Sequence, residues 1–318
     1  MKNIMCTLAL VPGLLASSLA LAGEQIDRQI DVPKDGKIII ENDRGEVEIR
    51  AWNEASFKVS GELDDLAKGY KLETRGQITE FIVDMPKRNG RFSKDGDGSK
   101  LVIYMPTQSA LELEGVSLDV TLAELSNHTS IKTVNGNIKA KQLSGKTNLA
   151  TVNGDIDSHN LDGDIHLETV NGNINDKASS GYLRINAVNG EIESHSKAHQ
   201  VKFENVNGEV ELTLEDLAEL DFNTVNGEAT IKVLKLADDA RIDMNSVSGD
   251  ATLLLPKGVS ANFDIQTHAG GSIRNQLSDE KASKAKYGPS KRLSFSTEGG
   301  KGNVEIDTVS GTITIKSH

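Results

Sequence analysis

Thr133-Val134-Asn135-Gly136-Asn137-Ile138 returns as Thr151-Val152-Asn153-Gly154-Asp155-Ile156, then as TVNGNI at 169–174, AVNGEI at 187–192, NVNGEV at 205–210 and TVNGEA at 224–229. The phrase glycines Gly136, Gly154, Gly172, Gly190, Gly208 and Gly227 are spaced by 18 residues four times and then by 19. A second series, Gly145, Gly163 and Gly181, divides each repeat into nine and nine. Such regularity marks a unit that cannot bury its own apolar face and must stack on its neighbours.

Around each phrase glycine the apolar residues alternate. Valine stands at −2 (Val134 to Val225) and Ile138, Ile156, Ile174, Ile192 or Val210 at +2. In the other half, Leu143 and Leu161 precede the glycine, and Leu149, Leu167, Ile185 and Phe203 follow at +4. Alternation is the pattern of strands with one buried face, and it places the phrase valines inside. The parity breaks between Leu149 and Val152, which predicts a corner there. Two strands and two corners per 18 residues make an all-β, flattened parallel β-solenoid built of nine-residue half-coils, each coil adding roughly 4.8 Å along the axis. The absence of proline between Pro106 and Pro256 agrees with a ladder that needs every N–H.

Three exposed rows follow. Asn135, Asn153, Asn171, Asn189, Asn207 and Asn226 at −1 would stack as an amide ladder, a structural role that suffices to explain them. At +1 stand Asn137, Asp155, Asn173, Glu191, Glu209 and Glu228, where neighbouring carboxylates repel by roughly 1 kcal/mol even in water-like surroundings. They either splay into solvent or share a cation. The expectation is a solvated face and no cofactor, with Asp155, Glu191, Glu209 and Glu228 as the alternative calcium ligands. Lys141, His159, Lys177 and His195 at +5 would offset the carboxylates if a corner brought them near.

Residues 1–22 read as a signal peptide: Lys2 is their only charge, Ile4 to Leu21 is apolar, and Ala20-Leu21-Ala22 suits cleavage after Ala22. The alternative is an uncleaved anchor. Cleavage would remove Cys6, the only cysteine, and leave 34 Lys+Arg against 47 Asp+Glu, a net charge of −13 and no disulfides. That acidity argues against a nucleic-acid partner, and no transmembrane segment is expected after the cleavage. Residues 23–115, with short alternating runs such as Glu46-Val47-Glu48-Ile49-Arg50, read as a β-rich capping segment, with Trp52 expected to anchor it to the first coils and not to serve as a ligand platform. Asp95-Gly96-Asp97-Gly98-Ser99 lacks the spacing of an EF-hand and reads as a hairpin turn. Repeats are expected over 116–273, a flexible basic insertion over 274–302, and closing strands over 303–318. Lys281, Lys284, Lys286, Lys291 and Arg292 make that insertion a possible partner contact.

The chain resembles the bacterial putative-adhesin family of exported β-strand-repeat proteins, a domain family without an assigned function. The points of resemblance are Glu41-Asn42-Asp43-Arg44-Gly45-Glu46-Val47, the T-V-N-G phrases, Leu254-Leu255-Pro256 after Val247-Ser248-Gly249-Asp250, and Thr308-Val309-Ser310-Gly311. The resemblance implies an exported β-solenoid and carries over no functional residues.

The function expected is that of a non-enzymatic structural or binding protein of the cell envelope, in the periplasm or on the surface, adhesin-like, with an envelope protein or polysaccharide as partner. The alternative is a carbohydrate-acting lyase or glycosidase, which needs carboxylates clustered in one groove. Asp155, Asp157 and Asp164 are near in sequence, yet similar residues recur in every coil. Ice or mineral binding by Thr133, Thr151 and Thr169 is discouraged because Ala187 and Asn205 interrupt their row.

Overall fold

The computed structural model describes residues 23–86 and 98–318. The signal-peptide reading of 1–22 and most of the Asp95–Ser99 turn lie outside them. The described chain is an all-β solenoid of two long sheets, one of 14 and one of 15 strands. No helix among the described residues is long and apolar enough to cross a membrane.

Each repeat contributes one strand to each sheet, but the two halves are unequal. Ser144–Asn153, Asp162–Asn171 and Ser180–Asn189 are 10-residue strands, whereas Ile138–Lys141, Ile156–His159 and Ile174–Lys177 have 4 residues each. All pair in parallel at an offset of one repeat, Leu149 beside Leu167 beside Ile185 and Ile156 beside Ile174 beside Ile192. Their inward side chains form one continuous apolar core, in which Phe203 and Phe222 stack with centroids 4.9 Å apart.

The corner expected between Leu149 and Val152 is not there. Thr147, Leu149 and Thr151 all point inward, so the alternation runs unbroken to the end of the long strand and the chain turns only at Asn153-Gly154. The phrase valines therefore face solvent: Val134, Val152, Val188, Val206 and Val225 are 37–40% exposed, and Val116, Val247 and Val309 continue their row. At Thr151 and Thr169 threonine takes the inner place because the tight corner leaves a carbonyl to satisfy. Thr151 Oγ1 donates to Gly136 O at 3.0 Å and Thr169 Oγ1 to Gly154 O at 3.1 Å. A β-branched hydroxyl fills the corner and meets that acceptor, which valine cannot do. The glycines are required by close approach, since a Cβ on Gly172 would lie 1.9 Å from Gly154 O.

Stacking order departs from chain order at both ends. The coil formed by Lys37–Glu41 and Arg44–Trp52 lies between that of Ile78–Val83 and Ser99–Pro106 and that of Ala110–Glu114 and Ser117–Ala123. Thus much of 23–115 is itself parallel coil. Antiparallel strands Gln25–Asp31, Ser56–Glu62 and Tyr70–Arg75 cover that end. Trp52 pins the cover, its Nε1 donating to Ser56 O at 2.8 Å. At the other end, Gly302–Thr308 and Thr312–Ser317 insert between the coils of 236–255 and 261–276. The last phrase therefore does not close the stack. Nor is 274–302 simply an insertion: Lys291–Thr297 pairs antiparallel with Ala261–Thr267, and Phe295 stacks on Phe263 at 4.6 Å.

Candidate functional site

The ordered corners set the rows in register. In the −1 row each asparagine donates Nδ2–H to Oδ1 of the one in the preceding coil, Asn153 to Asn135 at 2.8 Å, then Asn171, Asn189, Asn207 and Asn226 in turn at 2.9–3.3 Å. Every amide in the run is thereby occupied by its neighbours.

The +1 row is a second ladder, which its mixture of Asn, Asp and Glu does not announce. The N–H of Asn137 donates to Asp119 Oδ1 at 2.7 Å, that of Asp155 to Asn137 Oδ1 at 2.9 Å, that of Asn173 to Asp155 Oδ1 at 2.7 Å, and that of Glu191 to Asn173 Oδ1 at 2.9 Å. An Asp or Asn side chain is the right length to reach the amide of the next coil. Asp155 is thus tied to the backbone, and Asn173 separates it from Glu191. Glu191, Glu209 and Glu228 lie on three consecutive coils. Among the described residues no group of three or more His, Cys, Asp or Glu is arranged to hold a metal. The +5 row does not reach the +1 row: the +1 residue stands just before the short strand and the +5 residue four positions later in it, roughly 13 Å away at the strand rise. Its His195 instead meets Glu215 at 3.2 Å.

The three aspartates considered for catalysis are divided by the fold. Asp155 and Asp157 flank Ile156 on the short-strand sheet, whereas Asp164 lies on the long-strand sheet, paired with Arg184 at 2.6 Å. A fourth, Asp176, points into the core and is fully buried. Ser158 donates to its Oδ1 at 2.6 Å, Ser179 donates to the same oxygen, and Ser194 donates to Oδ2 at 3.0 Å. Burial raises its pKa above the ordinary carboxyl value, and the three hydroxyls oppose that rise only in part.

Of the five cations in the basic segment, two are structural. Arg292 makes a two-point contact with Asp264, holding that carboxyl below its usual range, and Lys291 Nζ donates to Gly271 O at 2.8 Å. Lys281, Lys284 and Lys286 are exposed, beside a Tyr287 that is 84% exposed.

The outer face of the short-strand sheet carries a groove of about 460 Å³ lined by Glu46, Glu48, Lys100, Asp119, Thr121 and Lys139. Beyond Glu48 on the same strand lie Arg50 and Trp52. Arg50 donates to Glu48 at 2.7 Å and to the Tyr104 hydroxyl at 3.0 Å, and Trp52 packs on Tyr104 with centroids 5.2 Å apart. No sequence window contains this surface. Its residues come from four strands, and 46–48 meets 100–102 and 119–121 only because the terminal coil is intercalated.

Residues 36–316 match the family model described as Toastrack DUF4097. The chain belongs to this family. The adhesin-family resemblance read from the phrases is borne out by the match. No curated protein matches. Among solved structures, a putative cell adhesion protein from Clostridium sporogenes aligns at 12% identity and TM-score 0.22, covering 93% of this chain and 100% of that one. A putative adhesin from Bacteroides fragilis aligns at 14% and 0.37, covering 92% and 97%. One from Parabacteroides merdae aligns at 11% and 0.32, covering 92% and 96%.

Proposed function

We propose that this Toastrack protein is an exported, non-enzymatic component of the cell envelope whose solenoid is a rigid support for a polysaccharide-binding face. The observation that carries this reading is the open groove on the outer face of the short-strand sheet, with the Trp52–Tyr104 ring pair further along two of its strands, past Arg50. Its carboxylates, ammonium groups and Thr121 hydroxyl are suited to sugar hydroxyls, and the neighbouring Trp52–Tyr104 pair offers an extended chain an apolar ring face past the groove. Export rests on residues 1–22, and sequencing the mature protein is expected to give Gly23 as the first residue.

The test is titration calorimetry against a panel of envelope polysaccharides, with a parallel assay for new reducing ends. Saturable binding is expected, weakened at least tenfold by Thr121→Arg, which fills the groove, with no new ends released. Release of reducing ends would overturn the non-enzymatic reading. Binding unchanged by Thr121→Arg, or none across the panel, would remove the groove from the proposal. Should the basic segment be the contact instead, Lys281, Lys284 and Lys286 changed together to Ala would abolish capture from envelope extract.

A further inference from the structure

The valines that the fold turns outward form an uninterrupted ridge. Parallel register places Val116, Val134, Val152, Val170, Val188, Val206, Val225, Val247 and Val309 one above another, though the last is 62 residues further along the chain than its neighbour. Eight steps of strand spacing make the ridge about 38 Å long. The adjoining −1 row is Ser117, six asparagines, Ser248 and Ser310. These 18 positions hold no charge in a protein where 26% of residues are charged and the net charge is −12. Depletion of charge over a long exposed apolar strip is the composition of an interface core.

We infer that this ridge is the contact surface for a second copy of the chain, packed antiparallel about a two-fold axis at Val188. Three observations select that occupant, and none depends on the groove. The first is area. Nine half-exposed valines leave about 500 Å² of apolar surface, at the upper end of what a monomer leaves bare. Two such ridges with their flanking amides would bury a total within the roughly 1,200–2,000 Å² of stable complexes.

The second is symmetry. An isologous contact needs one patch that matches itself reversed, and a ridge of identical residues does so. Val188 is the fifth of nine, and a shallow groove of about 220 Å³ runs beside Val170, Val188 and Val206 at the ridge's midpoint, with Glu168 and Glu204 on its outer side.

The third is polar matching at the ends, where His268 already lies 3.2 Å from Asp307 of its own chain. Val116 is followed in the stack by Asp43, whose carbonyl accepts from its N–H at 3.0 Å. Val309 is followed by His268, since Thr267 pairs with Thr308. Antiparallel packing about Val188 brings Asp43 of each copy to His268 of the other. Elsewhere the flanking +1 rows of both copies, and Glu168 and Glu204 on the other flank, are acidic, so association is expected to strengthen as salt screens them.

Sedimentation equilibrium of the full chain is expected to show a dimer that tightens with added sodium chloride and is weakened at least tenfold by Val188→Asp. In a Cys6→Ser background, Val188→Cys is expected to form disulfide-linked dimers under mild oxidation. Val134→Cys should do so only when mixed with Val247→Cys, its counterpart across the axis. The cysteine pairs report the geometry even if Val188→Asp fails to fold, which its circular dichroism would reveal. A chain monomeric at several hundred micromolar, a dimer indifferent to a folded Val188→Asp, or equal crosslinking of Val134→Cys alone would each overturn the proposal. So would a monomer that uses the ridge to capture a different envelope protein.

Discussion

At the residue scale, Asp176 is the position where chemistry and fold are most at odds. Its carboxyl is sealed in the core among three serine hydroxyls, and burial keeps its proton affinity above that of an unfolded chain. Below the unfolded pKa both states hold the proton and nothing is lost. As pH rises past about 3.9 the unfolded chain releases its proton first, and stability falls until the folded carboxyl also ionises, by about 1.4 kcal/mol per unit of difference. Asp176→Asn should therefore raise stability at neutral pH and flatten this slope, measured by urea unfolding at pH 4 and pH 7. An unchanged slope would mean that another group carries it. The alternation that marks the strand also marks 176 as inward, so its burial was legible. Its partners Ser158 and Ser194, 18 residues to either side, follow from the same period, whereas the approach of Ser179 to the same carboxyl depends on the turn that follows the short strand.

At the element scale, the difference between aspartate and glutamate in the +1 row decides what the row can do. Asp155 reaches the N–H of Asn173 and Asn137 reaches that of Asp155, which makes these side chains part of the corner. The thermal midpoint is accordingly expected to stay within about 1 °C on adding millimolar calcium, because a site that binds at that level would show a linkage shift. Asn171→Ala removes one donor and one acceptor from the amide ladder and should cost about 1–2 kcal/mol, read by urea unfolding. The register of both rows follows from the 18-residue period alone. The direction of the valine row does not, since alternation fixes which residues share a face and leaves open where the face ends. Thr151 and Thr169 settled that by donating to corner carbonyls, an inward role that hydropathy does not assign to threonine.

At the scale of the whole molecule, coils interact chiefly with their nearest neighbours. Deleting 302–318 removes the coil that separates 236–255 from 261–276, leaving the C-terminal cover without its partner. Hydrogen exchange on such a chain is expected to lose protection across 236–299 by at least a hundredfold while 144–214 stays protected. Uniform loss along the solenoid would show that the coils fold as one cooperative unit. The sequence by itself determined the class, the coil length, the parallel register and which residues stack in each row, because a strict repeat forces like residues onto like positions. Only the tertiary structure decided where the corners fall, that the valines form an outer ridge, that a coil is intercalated near each end beneath a cover of antiparallel strands, and that Glu46, Lys100 and Asp119 share a groove. Those outcomes depend on hydrogen bonds at the corners and on pairing between strands distant in the chain, and neither leaves a periodic trace.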